Sequence, residues 1–303
     1  MIYSGAGMIS AAAAVSAAVL AGCAVRSRYE RNHFRVEETV IASPKIRTPR
    51  TLVYLSDLHD KEFGPGNECL LAAIRDAAPD AVLIGGDTMV AKRGKAALRV
   101  TKQLVKGLAE QGKPVCYGNG NHEQRLGRET EHYGGLYQEL KEILRENGVI
   151  HLADTSACLG EDIRISGLNL DPCYYRDLTP AHMEASYISA RLGQPDPERF
   201  QILLAHSPLF HKAYAAWGAD LALAGHFHGG TIRLPLLGGV MTPQYQFFLP
   251  CCAGTWEQDG HYMVVSRGLG THSINIRLNN LPQVAVIRLT PEESTLENRK
   301  KNI

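Results

Sequence analysis

Apolar and polar positions divide the chain into stretches of different character. Residues 1–25 carry no charged side chain. Within them the run from Met8 to Val25, MISAAAAVSAAVLAGCAV, is 18 residues long and closes at Arg26. That is just the length of a membrane span, though alanine makes it only mildly apolar. Residues 26–49 are polar and Arg-rich, hold Pro44 and Pro49, and read as a linker. From residue 50 onward, short apolar runs alternate with helical periodicity. Residues 51–56 (TLVYLS) predict a strand ending at Asp57, residues 67–78 a helix, and residues 81–84 a buried strand ahead of Gly85-Gly86.

The pattern continues with a helix over 95–111, a strand over 114–117 and an amphipathic helix over 135–147 closed by Gly148. Strands follow at 149–152 and 163–166, then a helix at 181–192. Strands at 200–204 and 220–223 flank a further helix. Late strands fall at 231–234, 262–265 and 284–289. Residues 291–303 are a polar C-terminal tail, and no internal repeat is visible. Early alternation of strand and helix, with strands clustered late, predicts an α/β fold: a layered α-β-β-α sandwich with mixed β-sheets. In such folds the loops at strand ends assemble the site.

Composition excludes some classes. The chain has 303 residues, 45% hydrophobic and 21% charged, which rules out disorder for most of it. Lys+Arg of 32 against Asp+Glu of 31 leaves a net charge of +1, so no global basic field points to dedicated nucleic-acid binding. The seven cysteines form no CxxC pair and read as free or buried thiols, not as a disulfide framework or zinc ribbon.

Five short motifs carry the candidate chemistry: Asp57-Leu58-His59, Gly85-Gly86-Asp87, Gly120-Asn121-His122-Glu123, His206 in LLAHSP, and Gly225-His226-Phe227-His228. Alone, each has an ordinary reading as a turn or a surface histidine. Together they place carboxylate oxygen, amide oxygen and imidazole nitrogen after one predicted strand after another. That is the donor set of intermediate divalent metals, without the thiolates of a cluster or a structural zinc.

In this order the motifs resemble the calcineurin-like metallophosphoesterase superfamily. GNGNHEQR (118–125), AGHFHGGTIRLP (224–235) and SRGLGTHSINIRLNNLPQV (266–284) resemble its bacterial, often membrane-anchored branch. The resemblance spans residues 50–290 and implies a two-metal site. Asp57, His59 and His228 would hold one divalent ion and Asn121, His206 and His226 the other, with Asp87 bridging. The ions implied are Mn, Fe or Zn. A hydroxide shared between them would be the nucleophile and His122 the general acid that protonates the leaving group. Glu123 has no ligand role and is expected to be structural.

The implied activity is hydrolysis of a phosphodiester, pyrophosphate or phosphomonoester. A narrower alternative is a pyrophosphatase of the UDP-2,3-diacylglucosamine type, which needs an acyl pocket near residues 124–200. A non-enzymatic scaffold on the same fold is the alternative of another class. Arg125 and His272 are expected at the substrate, and Tyr174-Tyr175 either caps the pocket or lies in the core. Lys92 and Arg93 read as solvated, and His132, His151, His182, His211 and His261 as surface or core residues. Basic residues follow the apolar run and none precedes it, which predicts an N-terminal anchor with the domain on the cytoplasmic face. Leu20-Ala21-Gly22-Cys23 also resembles a lipoprotein processing box, which would make the chain an exported lipoprotein. A lipid-linked or cell-envelope substrate would suit either arrangement.

Overall fold

The computed structural model describes residues 3–176, 181–271 and 274–292. Helix α1 (Tyr3–Glu30) leads into strand β1 (Arg35–Ala42) and β2 (Arg50–Leu55). Then come α2 (Glu68–Asp76), β3 (Ala81–Ile84), α3 (Arg99–Ala109) and β4 (Val115–Gly118). Helices α4 (Asn121–Arg128), α5 (Thr130–Tyr133) and α6 (Leu136–Glu146) precede β5 (Ile150–Leu152), β6 (Thr155–Leu159) and β7 (Ile163–Leu168). The second half holds α7 (Ala185–Leu192), β8 (Phe200–Ala205), α8 (His211–Trp217) and β9 (Leu221–Ala224). A small hairpin of β10 (Arg233–Leu234) and β11 (Gly238–Gly239) follows. The last elements are β12 (Gly254–Gln258), β13 (His261–Val265) and β14 (Gln283–Thr290).

Two six-stranded sheets run in the orders β1-β14-β2-β3-β4-β5 and β12-β13-β9-β8-β7-β6. Both are mixed: β2, β3, β4 and β5 pair in parallel, whereas β14 is antiparallel to β2. Residues alternate across each strand, so each sheet presents two apolar faces. Leu52, Tyr54 and Leu83 of the first sheet meet Ile165, Phe200, Ile202 and Leu223 of the second. The outer face of the first sheet (Val53, Leu55, Ile84) takes Leu70, Leu104 and Leu140 from α2, α3 and α6. The outer face of the second takes Ile188 of α7 and Tyr214 and Trp217 of α8. The result is the four-layered α-β-β-α sandwich.

The N-terminal region departs from expectation. Among the described residues no helix is long and apolar enough to cross a membrane. α1 is long, but alanine, serine and glycine fill most of it and carry too little apolar surface. The expected membrane anchor is therefore overturned, and with it both localisations built on it: a domain held at the cytoplasmic face and an exported lipoprotein. The last turn of α1 instead packs on the sandwich. Glu30, fully buried, accepts hydrogen bonds from Arg26 Nε at 2.6 Å and from Asn280 N at 2.8 Å. Ser27 Oγ accepts from Arg277 N at 3.2 Å. Residues 26–49, expected as a linker, also contain β1, which adds to the first sheet beside β14 in parallel register, Arg35 opposite Gln283.

Candidate metal centre

Strands β2, β3 and β4 of one sheet and β8 and β9 of the other end at a common rim, and every candidate ligand lies within a few residues of one of these ends. Asp57, His59, Asp87, His226 and His228 all have positive φ, between 45° and 65°. Side chains other than glycine rarely adopt that region, and such residues persist only where their surroundings hold them. Here backbone bonds do so: Asp57 N donates to Gly86 O and His59 N to Asp87 O, both at 3.0 Å. His226 N donates to the Asp57 carboxylate at 3.1 Å. The two loops at β3 and β4 touch so closely that a Cβ on Gly86 would lie 1.9 Å from Gly120 N.

Three overlapping donor groups form: Asp57, His59 and His228; Asp87, His206 and His226; and His59, Asp87 and His122. Within each, the donor atoms lie within 4.8 Å of one another. His59 Nε2 and His228 Nε2 are 3.2 Å apart, and each approaches Asp57 Oδ1, at 3.8 and 3.5 Å. Asp87 Oδ2 lies 3.2 Å from His206 Nε2 and 3.8 Å from His59 Nε2, so one carboxylate reaches across the first two groups. Asn121 Oδ1, His206 Nε2 and His226 Nε2 are buried without a hydrogen-bond partner. Unpaired acceptors in such a place cost free energy unless a cation meets them. His206 Nδ1 lies 2.8 Å from Gly85 O, and a carbonyl can only accept. That bond keeps a proton on Nδ1 and aims Nε2 at Asp87 as the ligand atom. The donor set therefore fits divalent metal.

Charge in the cluster is strongly coupled. Burial pushes the Asp87 carboxyl up to about 7, although His206 beside it pulls the other way. Burial alone would lower His206, but the Asp87 and Asp57 carboxylates and the Gly85 carbonyl raise it to about 10. Burial, with His206 close by, drives His226 well below the usual histidine range.

Glu123 is the support beneath this cluster. Its fully buried carboxylate accepts from Asp87 N, Gly120 N and Thr88 N at 2.8, 2.8 and 3.0 Å, and from Tyr117 Oη at 2.7 Å. It joins the β3 loop to the start of α4. His122 is held at both ends: its N donates to Asp87 Oδ1 at 2.8 Å, and its Nδ1 accepts from Ala91 N at 2.7 Å. Its Nε2 lies 3.9 Å from Asp87 Oδ2.

A cavity of about 260 Å³ opens onto these groups, lined by His59, Asp87, Asn121, His122, His226 and His228. Arg125 lines it, and so does Arg128, one helical turn on, which the sequence pattern alone does not single out. Of the tyrosine pair, Tyr175 lines the cavity while Tyr174 packs against Phe210 and Tyr187. The Tyr175 ring sits 5.0 Å from that of His226, and its hydroxyl is buried without a partner. Segment 124–200 gives this cavity mostly polar lining, and the apolar lining nearby comes from residues 241–276 instead. Lys92 and Arg93 are exposed. His272 lies outside the described residues.

Known proteins resemble this chain over most of its length. An uncharacterised protein of Bacillus subtilis (strain 168), YpbG, is 26% identical over 95% of this chain and 97% of its own. The uncharacterised metallophosphoesterase YkuE of the same organism is 27% identical over 78% of each. The phosphodiesterase YaeI of Escherichia coli (strain K12) is 25% identical over 80% of this chain and 82% of its own. The model of the calcineurin-like phosphoesterases matches residues 50–230, which hold all seven candidate ligands and His122. The chain belongs to the calcineurin-like phosphoesterase family and is an enzyme of the metallophosphoesterase type.

Proposed function

We propose that this chain hydrolyses phosphoester bonds, diesters first among them, with two divalent cations. Asp57, His59 and His228 would hold one, Asn121, His206 and His226 the other, and Asp87 would serve both. The observation that carries the reading is the convergence of His206 Nε2 and His226 Nε2 with the Asp87 carboxylate beside a second donor group, with Asn121 Oδ1, also buried and unpartnered, on the same cavity. Bound there, such cations neutralise the charge of the ester and supply a nucleophile at neutral pH.

The side chains do the rest. Arg125 and Arg128 face the cavity as a cationic flank for the anionic ester. The Tyr175 hydroxyl, held neutral because burial raises its pKa, donates to a phosphoryl oxygen. Ala91 N–H can only donate, so His122 Nδ1 carries no proton, and the neutral ring keeps its proton on Nε2. His122 therefore steadies the departing oxygen as a hydrogen-bond donor. Complete proton delivery, as expected from the sequence, requires Nδ1 to gain a proton and the Ala91 bond to break.

The test is hydrolysis of bis-p-nitrophenyl phosphate and p-nitrophenyl phosphate by the full chain, stripped of metal and resupplied with manganese. Metal-dependent cleavage that Asp87→Ala abolishes supports the reading, and the ratio of the two rates separates diesterase from monoesterase. Full metal binding with no cleavage of either ester, or of a pyrophosphate diester, refutes it.

A further inference from the structure

The cavity over the candidate ligands does not end there. His228 and Pro243 line it and also line a second, adjoining cleft of about 80 Å³. The rest of that cleft is largely apolar, with Met241, Tyr245, Ile274 and Ile276 in its walls. Tyr245, Ile274 and Ile276 stay 41–54% exposed, although side chains of this kind are normally covered. Exposed apolar surface gathered beside a polar site marks contact with a ligand or partner.

The cleft is preformed. Residues on both its walls are pinned to the same base. Arg277, fully buried, donates to the carbonyls of Arg267, Gly268 and Gly270. Asn280 Nδ2 donates to His228 O at 2.7 Å and to Thr231 O at 3.2 Å. The two sides of the combined cavity also differ in chemistry. Arg125 and Arg128 line the part over the ligands, whereas the arginine that lines the cleft, Arg277, is buried and turned to backbone carbonyls at its base.

We propose that the cleft is a substrate subsite that takes an unbranched apolar substituent of the phosphoester, while the phosphoryl group lies over the ligand groups. The proposal rests on the phosphoesterase reading above. Continuity decides the occupant: whatever fills the cleft touches His228, whose ring belongs to the first donor group. The narrow volume suits a linear alkyl chain rather than a nucleoside, and apolar burial provides the affinity.

The test uses the manganese-loaded full chain and a series of alkyl p-nitrophenyl phosphate diesters from methyl to octyl, below their micelle concentrations. The kcat/KM rises about two- to fourfold per added methylene until the cleft is filled. Ile276→Ser and, separately, Ile274→Ser flatten that rise, read within each variant as a fall in the ratio of octyl to methyl diester kcat/KM towards one. Cleavage of the methyl diester with no dependence on chain length overturns the subsite and leaves the hydrolase reading standing. If no diester is cleaved, titration calorimetry with methyl phosphate and octyl phosphate decides separately. Tighter binding of octyl phosphate, lost in Ile276→Ser, sustains the subsite; equal binding refutes it.

Discussion

His122 Nδ1 accepts a 2.7 Å hydrogen bond from the backbone N–H of Ala91, and this one contact fixes which ring nitrogen faces the cavity. His122→Ala removes that donor but leaves the Asp57–His59–His228 and Asp87–His206–His226 groups whole. Turnover falls about 10²- to 10³-fold, most for esters with poor leaving groups, while metal content by elemental analysis is unchanged. Loss of metal in this variant would make His122 a ligand.

Glu123 offers a different test, because its carboxylate meets donors on every side. In Glu123→Gln one oxygen becomes an NH₂ that faces N–H or O–H groups. Urea denaturation should show a loss of about 2–3 kcal/mol. Metal affinity should weaken as well, since Asp87 N is one of the groups released.

Metal uptake should depend on pH in a defined direction. Asp87, raised to about 7 by burial, and His206, raised to about 10 by its carboxylate neighbours, must both give up protons to become ligands. Protons therefore compete with metal at low pH, and affinity rises as pH rises. Manganese binding should be roughly tenfold or more weaker at pH 6 than at pH 8. Calorimetry in buffers of different ionisation enthalpy should detect proton release, and affinity that is flat across this range would refute the coupling.

Tyr175→Phe deletes a buried hydroxyl that has no partner in the folded chain. Stability and metal content should hold or improve slightly. A drop of about 2- to 10-fold in kcat/KM would report the hydrogen bond lost to the ester. Unchanged kinetics would place Tyr175 in the wall only.

Much of the architecture is legible in the sequence because short apolar runs end abruptly in chemistry. Residues 81–84 and 200–204 read as buried strands, and the strands form there with Asp87 and His206 just beyond. β1 is not legible: RVEETVIA opens with charged residues and keeps no strict alternation, most of its residues are exposed or half-exposed, and it becomes a strand through pairing with β14. α4 is hidden for a related reason. NHEQRLGR has no apolar stripe, and its first turn is held by Glu123 bonding back to Gly120 N. Arg128 was missed with the helix, since its nearness to Arg125 depends on helical spacing. The N-terminal run misleads in the opposite sense: its length suits a bilayer, but its alanines do not supply the apolarity.

The placement of β14 bears on how the protein is made. β1 and β2 leave the ribosome early, yet the strand that joins them, hydrogen-bonded to both, is the last one described. The loop just before it closes over Asp57, with Gly270 N donating to Asp57 O at 2.6 Å. Vectorial synthesis thus delivers the helices and central strands first, and the first sheet stays open until β14 emerges. The ligand residues themselves all emerge earlier, by His228, but the loop that holds Asp57 arrives only just ahead of β14, so the nascent site waits for that strand to reach its final backbone geometry.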